Sequence, residues 1–293
     1  KAGTLLNRYN PEVVIGVGGY ASGPLLYRAS RKRIPTLIQE QNSFPGITNR
    51  ILANRVNKVC AGFPGLDKWF PKDRIVETGN PLMEGVLKLS DSKSSPSKSV
   101  ATSHFKIDTY KPVVFIMGGS LGALSMNMAV RNLLESSNNV LTYSIIWQCG
   151  ARFFDENHQW LEEFSKKNSK IADCVKCFGF IDRMDLAYAA SDLIASRAGA
   201  MSISELALVA KPTLLIPSPN VAEDHQTKNA KSLVDRGAAI LIQDCDVVNS
   251  LKDHIEELLK DETTRKKMEI NLKNAARPNA SYQIVDEVEK LLR

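Results

Sequence analysis

Long hydrophobic runs are missing from this chain. Hydrophobic residues make up 43% of its 293 residues, yet no stretch approaches the ~18 consecutive apolar residues of a membrane-spanning helix. Also absent is any block of Lys and Arg interleaved with aromatics, which argues against nucleic acid as a partner. Basic residues outnumber acidic ones by only 38 to 32, a charge of +6. A surplus that small suits an anionic ligand, but solubility alone accounts for it. Cysteines are few and scattered: Cys60, Cys149, Cys174, Cys177 and Cys245. An odd, dispersed set reads as a reducing compartment without disulfides. The single Cys174-Val-Lys-Cys177 pair has no second pair and no His at ligand spacing, so no metal is expected. Near-average apolar content with mixed charge excludes wholesale disorder.

What remains is an alternation of short apolar strands and longer helical patterns. Strands are expected near Val13–Gly16, Thr36–Gln39, Lys58–Ala61, Val113–Met117, Ser144–Gln148, Cys174–Phe178, Leu193–Ala195, Thr213–Ile216 and Ala239–Ile242. Several are continuous apolar runs, as strands covered on both faces are. Helical spacing follows at Met126–Leu134, Gln159–Lys167, Asp185–Ala190, Ile203–Ala210 and Gln226–Asp235. The pattern predicts an α/β fold with parallel sheets built from βαβ units. The length favours two domains, placed at 1–80 and 81–278, with a helix at 279–293 free to pack back on the first. Its apolar stripe is Ile284, Val285, Val288, Leu291 and Leu292. The Ser/Lys-rich stretch 90–103 reads as a loop or linker. Lys1 stands only a few residues ahead of the first strand, and the chain is expected to be cut from something longer.

Four polar clusters sit at strand ends. Gly16-Val-Gly18-Gly19-Tyr20-Ala21-Ser22-Gly23-Pro24 follows the first strand, where glycines allow close approach to a phosphate. Read as a dinucleotide fingerprint, Gly16-x-Gly18-x-x-Ala21 pairs with Glu40, 22 residues after Gly18, as a ribose-binding acid. Pro24 and the surplus glycines count against that reading. Gly118-Gly119-Ser120-Leu121-Gly122-Ala123 lies between a strand and a helix, aiming backbone N–H groups and a helix dipole at one spot. The run Ser196–Glu205 turns into another helix. Glu205 there fits either a ribose 2′,3′-diol or a capping box with Ser202 as N-cap. Glu223-Asp224-His225-Gln226 opens the next helix after a strand. Three such loops at strand carboxyl ends imply one nucleotide pocket in the second domain.

Seven motifs then occur in order: GGYASGP (Gly18–Pro24), EQN (Glu40–Asn42), GITN (Gly46–Asn49), GNP (Gly79–Pro81), GGSLGA (Gly118–Ala123), the Arg197–Glu205 run and DHQTKNA (Asp224–Ala230). From about Pro11 to the C-terminus the chain resembles the bacterial MurG family, inverting N-acetylglucosaminyltransferases that convert lipid I to lipid II. The resemblance implies a GT-B fold, two Rossmann-like domains with parallel sheets facing a cleft, the first here incomplete. It implies UDP-GlcNAc as donor and lipid I as acceptor. It also implies peripheral residence on the cytoplasmic face of the bacterial inner membrane, without a cofactor. Ser120 with the Gly118 and Gly119 backbone is expected at the UDP diphosphate, and the Ile181 backbone at uracil. Ala200, Met201, Ser202, Ile203, Ser204 and Glu205 are expected along the nucleotide, with Glu205 on the ribose. Gln226 is expected to hold GlcNAc hydroxyls, with Asn42 as a further donor contact. Gly18, Gly19, Tyr20 and Ser22 are expected on the acceptor side.

Three departures qualify the match. Met83 stands where the family has Arg after GNP-x, so a phosphate contact must come from elsewhere, Arg197 being one candidate. Gln39 replaces a His before EQN. The loop GGTGGH, with the family's proposed catalytic His, is absent, and His104, His158, His225 and His254 match none of it. No general base is therefore assigned. Two other readings stand beside the transferase: a sugar-nucleotide-binding fragment without turnover, and an NAD-linked oxidoreductase using Gly16–Ala21 and Glu40.

Overall fold

The computed structural model describes residues 1–91 and 93–293, apart from the side chains of Ala172 and Ala222. Ser92, within the Ser-rich stretch, lies outside the described residues. The chain forms two compact units, Lys1–Leu82 with Ala276–Arg293, and Met83–Ala275. Both are α/β with wholly parallel sheets, of four and six strands.

The first unit runs α1 (Ala2–Tyr9), β1 (Val14–Gly16), α2 (Ser22–Arg31), β2 (Thr36–Glu40), α3 (Ile47–Leu52), β3 (Lys58–Ala61) and β4 (Ile75–Glu77). Its sheet order is β1-β2-β3-β4. All five residues of β2 are buried, which is why the strand is nearly continuous in apolar residues rather than alternating. Leu26 and Ala29 of α2 close over Val14, Ile38 and Val59. Pro24 falls in the first turn of α2, where its missing N–H has no intrahelical role.

The second unit begins with α4 (Glu84–Leu87), whose N-cap is the exposed Met83, and α5 (Lys98–Phe105). It continues β5 (Val113–Met117), α6 (Leu124–Glu135), β6 (Ser144–Gln148), α7 (Phe154–Lys167), α8 (Ser169–Ala172) and β7 (Val175–Phe178). There follow α9 (Met184–Ala190), β8 (Leu193–Ser196), α10 (Ala200–Val209), β9 (Thr213–Leu215), α11 (His225–Val234), β10 (Ile240–Leu241), α12 (Val247–Lys260) and α13 (Glu262–Ala275). The final helix α14 (Ala280–Leu292) packs against β2 and β3 of the first unit.

The six-stranded sheet has the order β10-β9-β8-β5-β6-β7. The chain starts in the middle, builds outward through β6 and β7, then restarts on the other side of β5 with β8. That reversal makes a switch point between β5 and β8, where the following loops diverge and leave a crevice at the strand carboxyl ends. The core lies on both sheet faces. Met126, Ala129, Val130 and Leu133 of α6 form a buried stripe that meets Val247, Leu251, Ile255 and Leu258 of α12. Each of these side chains larger than alanine contributes roughly 1.5–3 kcal/mol by leaving water. Trp147 is fully buried and its Nε1 donates to Asn127 Oδ1 at 3.0 Å, so even its polar edge is satisfied.

One expectation needs correcting. The Ser/Lys-rich stretch is not loop throughout, because α5 occupies Lys98–Phe105. Ser97 caps it, its hydroxyl accepting from Val100 N at 3.3 Å. Ala101, Thr102 and Phe105 are buried, and Phe105 meets Phe178 edge-on at 5.5 Å. The burial that holds this helix depends on small residues and on a Phe just past the Ser-rich stretch, so composition conceals it.

Candidate functional site

In the second unit, four strand-end segments are laced together at the crevice beside β5. The loop Gly118–Ala123 leaves β5 with Gly119 at φ +84 and Gly122 at φ +76. A Cβ on Gly122 would collide with the Cys149 carbonyl and lie 2.7 Å from Phe153 Cδ2. Gly122 is therefore glycine because two backbones meet there. Around Gly119, by contrast, a Cβ would meet nothing within 4 Å. Ser120 and Leu121 project outward, Leu121 83% exposed. Ala123 is the N-cap of α6 and supplies no side-chain cap, so the first-turn N–H groups of this helix face the crevice unsatisfied by side chains.

Helix α10 repeats the arrangement. Its N-cap is Gly199, again without a side-chain cap. The capping box with Ser202 as N-cap is thus incorrect: the helix starts at Ala200, and Ser202 lies inside its first turn. Met201 is 40% exposed, whereas the side chain of Ile203 belongs to the core at 1%. The Ile203 N–H donates to the Gly199 carbonyl at 2.9 Å as the first bond of the helix. Ser204 Oγ donates back to Ala200 O at 3.0 Å. Glu205 extends one turn further, and Tyr188 Oη of α9 donates to its Oε2 at 2.7 Å. Burial raises the Glu205 carboxyl above the ordinary range, and the Tyr188 hydrogen bond pulls it back.

Arg197 ties these segments together. Its Nη1 meets Asp244 Oδ1 at 2.5 Å and donates to the carbonyls of Ile216 and Pro217, while Nη2 donates to Ser125 Oγ at 2.8 Å. Ser125 in turn donates to the same Asp244 oxygen at 2.6 Å. The ends of β8 and β9, the first turn of α6 and the segment after β10 thus share one guanidinium. Both terminal nitrogens of Arg197 are thus engaged in holding these segments together. Gln226, the second residue of α11, accepts from Ala198 N at 3.2 Å and Ser218 N at 2.8 Å through Oε1. Its Nε2 has no partner among the described residues. Ile181 lies three residues before α9, its side chain buried.

The remaining predicted residues belong to the first unit. Gly18 (φ +92) and Gly19 (φ +75) turn the chain from β1 into α2, where Ser22 Oγ donates to Gly19 O at 2.9 Å. Tyr20 is 90% exposed at the tip. Asn42 follows β2, and its backbone N donates to Glu40 Oε1 at 3.0 Å. Glu40 itself is buried, and its Oε2 accepts from Gly46 N at 3.1 Å and Asn49 Nδ2 at 2.6 Å. Both carboxylate oxygens are spent on holding the segment that leads into α3. A ribose has no access to them, so the dinucleotide reading fails. Tyr188, Ser125 and Asp244 escaped sequence reasoning: Tyr188 sits on an apolar helix face that reads as core, and nothing local marks the other two.

The same chain matches two family descriptions: residues 113–284 match the glycosyltransferase family 28 C-terminal domain, and residues 1–61 its N-terminal domain. A Flavobacterium psychrophilum protein named UDP-N-acetylglucosamine--N-acetylmuramyl-(pentapeptide) pyrophosphoryl-undecaprenol N-acetylglucosamine transferase is 43% identical over 98% of this chain and 74% of its own length. A protein of the same name from Porphyromonas gingivalis is 41% identical over 99% and 74%. Among solved structures, Acinetobacter baumannii MurG superposes with a TM-score of 0.76 at 29% identity, over 99% of this chain and 76% of that one. The Neisseria meningitidis UDP-GlcNAc 2-epimerase bound to UDP-GlcNAc shares the fold, with a TM-score of 0.65 at 18% identity over 98% and 78%.

Proposed function

We propose, for a chain that belongs to the MurG group of glycosyltransferase family 28, that it transfers N-acetylglucosamine from UDP-GlcNAc to lipid I in peptidoglycan synthesis. The acceptor is the 4-hydroxyl of the muramyl sugar on undecaprenyl pyrophosphate, and the product is lipid II. The observation that carries this reading is the crevice beside β5, where two uncapped helix N-termini and the one-sidedly bonded Glu205 carboxylate lie on segments laced by Arg197.

The chemistry follows from those parts. The muramyl oxygen attacks the anomeric carbon of GlcNAc from the side opposite the diphosphate, its proton passes to a base, and UDP leaves with the bonding pair. The configuration inverts from α to β. Charge grows on the departing diphosphate, and the N–H groups opening α6, with Gly119 and the Ser120 hydroxyl, offset it; the Gly118 N–H is spent on the Gln148 carbonyl at 3.2 Å. Ala200 to Glu205 line the nucleoside, with Glu205 accepting from the ribose diol and the Ile181 main chain serving uracil. Gln226 keeps an unused amide N–H pair for sugar hydroxyls. Gly18, Gly19, Tyr20 and Ser22 serve the acceptor pyrophosphate. No residue of this chain is assigned as the base. The enzyme works as a peripheral protein at the membrane that holds lipid I; no helix among the described residues is long and apolar enough to cross one.

Calorimetry with UDP-GlcNAc tests the donor site. The wild-type chain binds it, and Glu205→Ala weakens binding at least about tenfold, the scale of a lost hydrogen bond to a charged group. Unchanged affinity in that variant removes Glu205 from the ribose. Binding of NADH in place of UDP-GlcNAc overturns the reading altogether. Turnover is scored separately by conversion of lipid I to lipid II, because a chain that binds donor and converts no acceptor is a sugar-nucleotide-binding fragment.

A further inference from the structure

Tyr188 has no place in the function proposed above, yet it touches the residue at its centre. Its ring is fully buried and meets Phe115 of β5 edge-on, with centroids 5.8 Å apart. Its hydroxyl lies 2.7 Å from Glu205 Oε2 and 3.7 Å from Met117 Sδ, the residue just before Gly118. A phenol has one proton to give, and a carboxylate is a far better acceptor than a thioether. Burial and the neighbouring Glu205 push the Tyr188 pKa well above its usual value, so the group remains a donor. Glu205 Oε1 accepts no hydrogen bond among the described residues, and it is not among the buried polar atoms left without a partner.

We propose that Tyr188 is a positioning residue that grips Glu205 by one carboxylate oxygen and presents the other to the ribose, making the site selective for the 2′,3′-diol. The inference rests on the reading of Glu205 as the ribose contact. A glutamate side chain has three rotatable bonds, and ordering it on binding opposes association. The Tyr188 bond removes most of that freedom before the nucleotide arrives. It also favours the anion against the burial that disfavours it. With Oε2 held, Oε1 and the remaining lone pair of Oε2 are oriented as acceptors for two vicinal hydroxyls. A nucleoside diphosphate lacking them has nothing to offer this carboxylate.

The test is calorimetry with UDP and with 2′,3′-dideoxy-UDP, on the wild-type chain, Tyr188→Phe, Glu205→Ala and the double variant. The Phe substitution keeps the ring and its Phe115 contact while deleting only the hydroxyl. The expected result is that Tyr188→Phe weakens UDP about tenfold, leaves dideoxy-UDP within about twofold, and adds nothing in the Glu205→Ala background. Equal losses for both ligands mean that Tyr188 only supports the fold, and an undiminished UDP affinity means that it does nothing for the site. Either outcome overturns the proposal while Glu205 keeps its role. Wild-type protein that binds UDP and dideoxy-UDP alike instead overturns the ribose assignment, and this inference falls with it.

Discussion

At the scale of the single residue, Gly122 and Gly119 separate two meanings of a glycine-rich turn. Both have positive φ, but only Gly122 faces another backbone, at Cys149 and Gly150. An alanine at Gly119 meets the left-handed penalty alone, about 1–2 kcal/mol. At Gly122 the collision is with main chain that cannot swing aside. Gly122→Ala is therefore expected to cost at least ~3 kcal/mol, a fall of roughly 6–12 °C in melting midpoint for a domain of this size. Calorimetric melts of the two variants decide the point: equal shifts would remove the backbone contact as the reason. The motif GGSLGA announced a strand-to-helix turn, but it could not say which glycine meets another backbone and which stands beside open space. Glu40 carries the same lesson. Its spacing from Gly18 imitates a ribose-binding acid, and only its hydrogen bonds to Gly46 N and Asn49 reveal a structural carboxylate.

At the scale of the element, strands were the most legible part. Lys58–Ala61, Val113–Met117 and Ser144–Gln148 have the bounds expected of them, because burial on both faces makes their interiors continuous in apolar residues. Helix starts were harder to read. The N-cap of α10 is Gly199 rather than Ser202, and with no side chain capping the helix the usual polar start signal is missing. The lacing of these elements falls to the Arg197–Asp244 pair, whose side chains are 13% and 21% exposed. Asp244→Ala leaves the guanidinium with carbonyls and a hydroxyl but no counter-charge. For a pair so poorly solvated the expected cost is about 3 kcal/mol, read from urea denaturation as a lower midpoint at unchanged slope. Asp244→Asn retains an acceptor oxygen and is expected to recover part of the loss. A fully stable Asp244→Ala protein would show that the pair does not hold these segments.

At the scale of the whole molecule, two parallel sheets have separate cores, and the last helix belongs with the first of them. α14 turns Ile284, Glu287 and Val288 inward, with Glu287 buried and its carboxylate 2.6 Å from Lys290 Nζ and 3.9 Å from Lys58 Nζ of β3. Removing residues 276–293 is expected to speed amide hydrogen exchange in β2 and β3 and leave β5 and β6 protected. Exchange that rises equally in both sheets would contradict the separation of the two cores. The sequence by itself determined the fold class, most of the strands and the order of the seven motifs, because each is written in local periodicity or in the residue types a turn demands. Where α14 docks, which carboxylate is spent on structure, and that Tyr188 and Arg197 serve residues far along the chain were decided only by the tertiary structure. Those facts depend on contacts between segments that no local pattern encodes, where burial and hydrogen bonding are fixed by the neighbour and not by the residue itself.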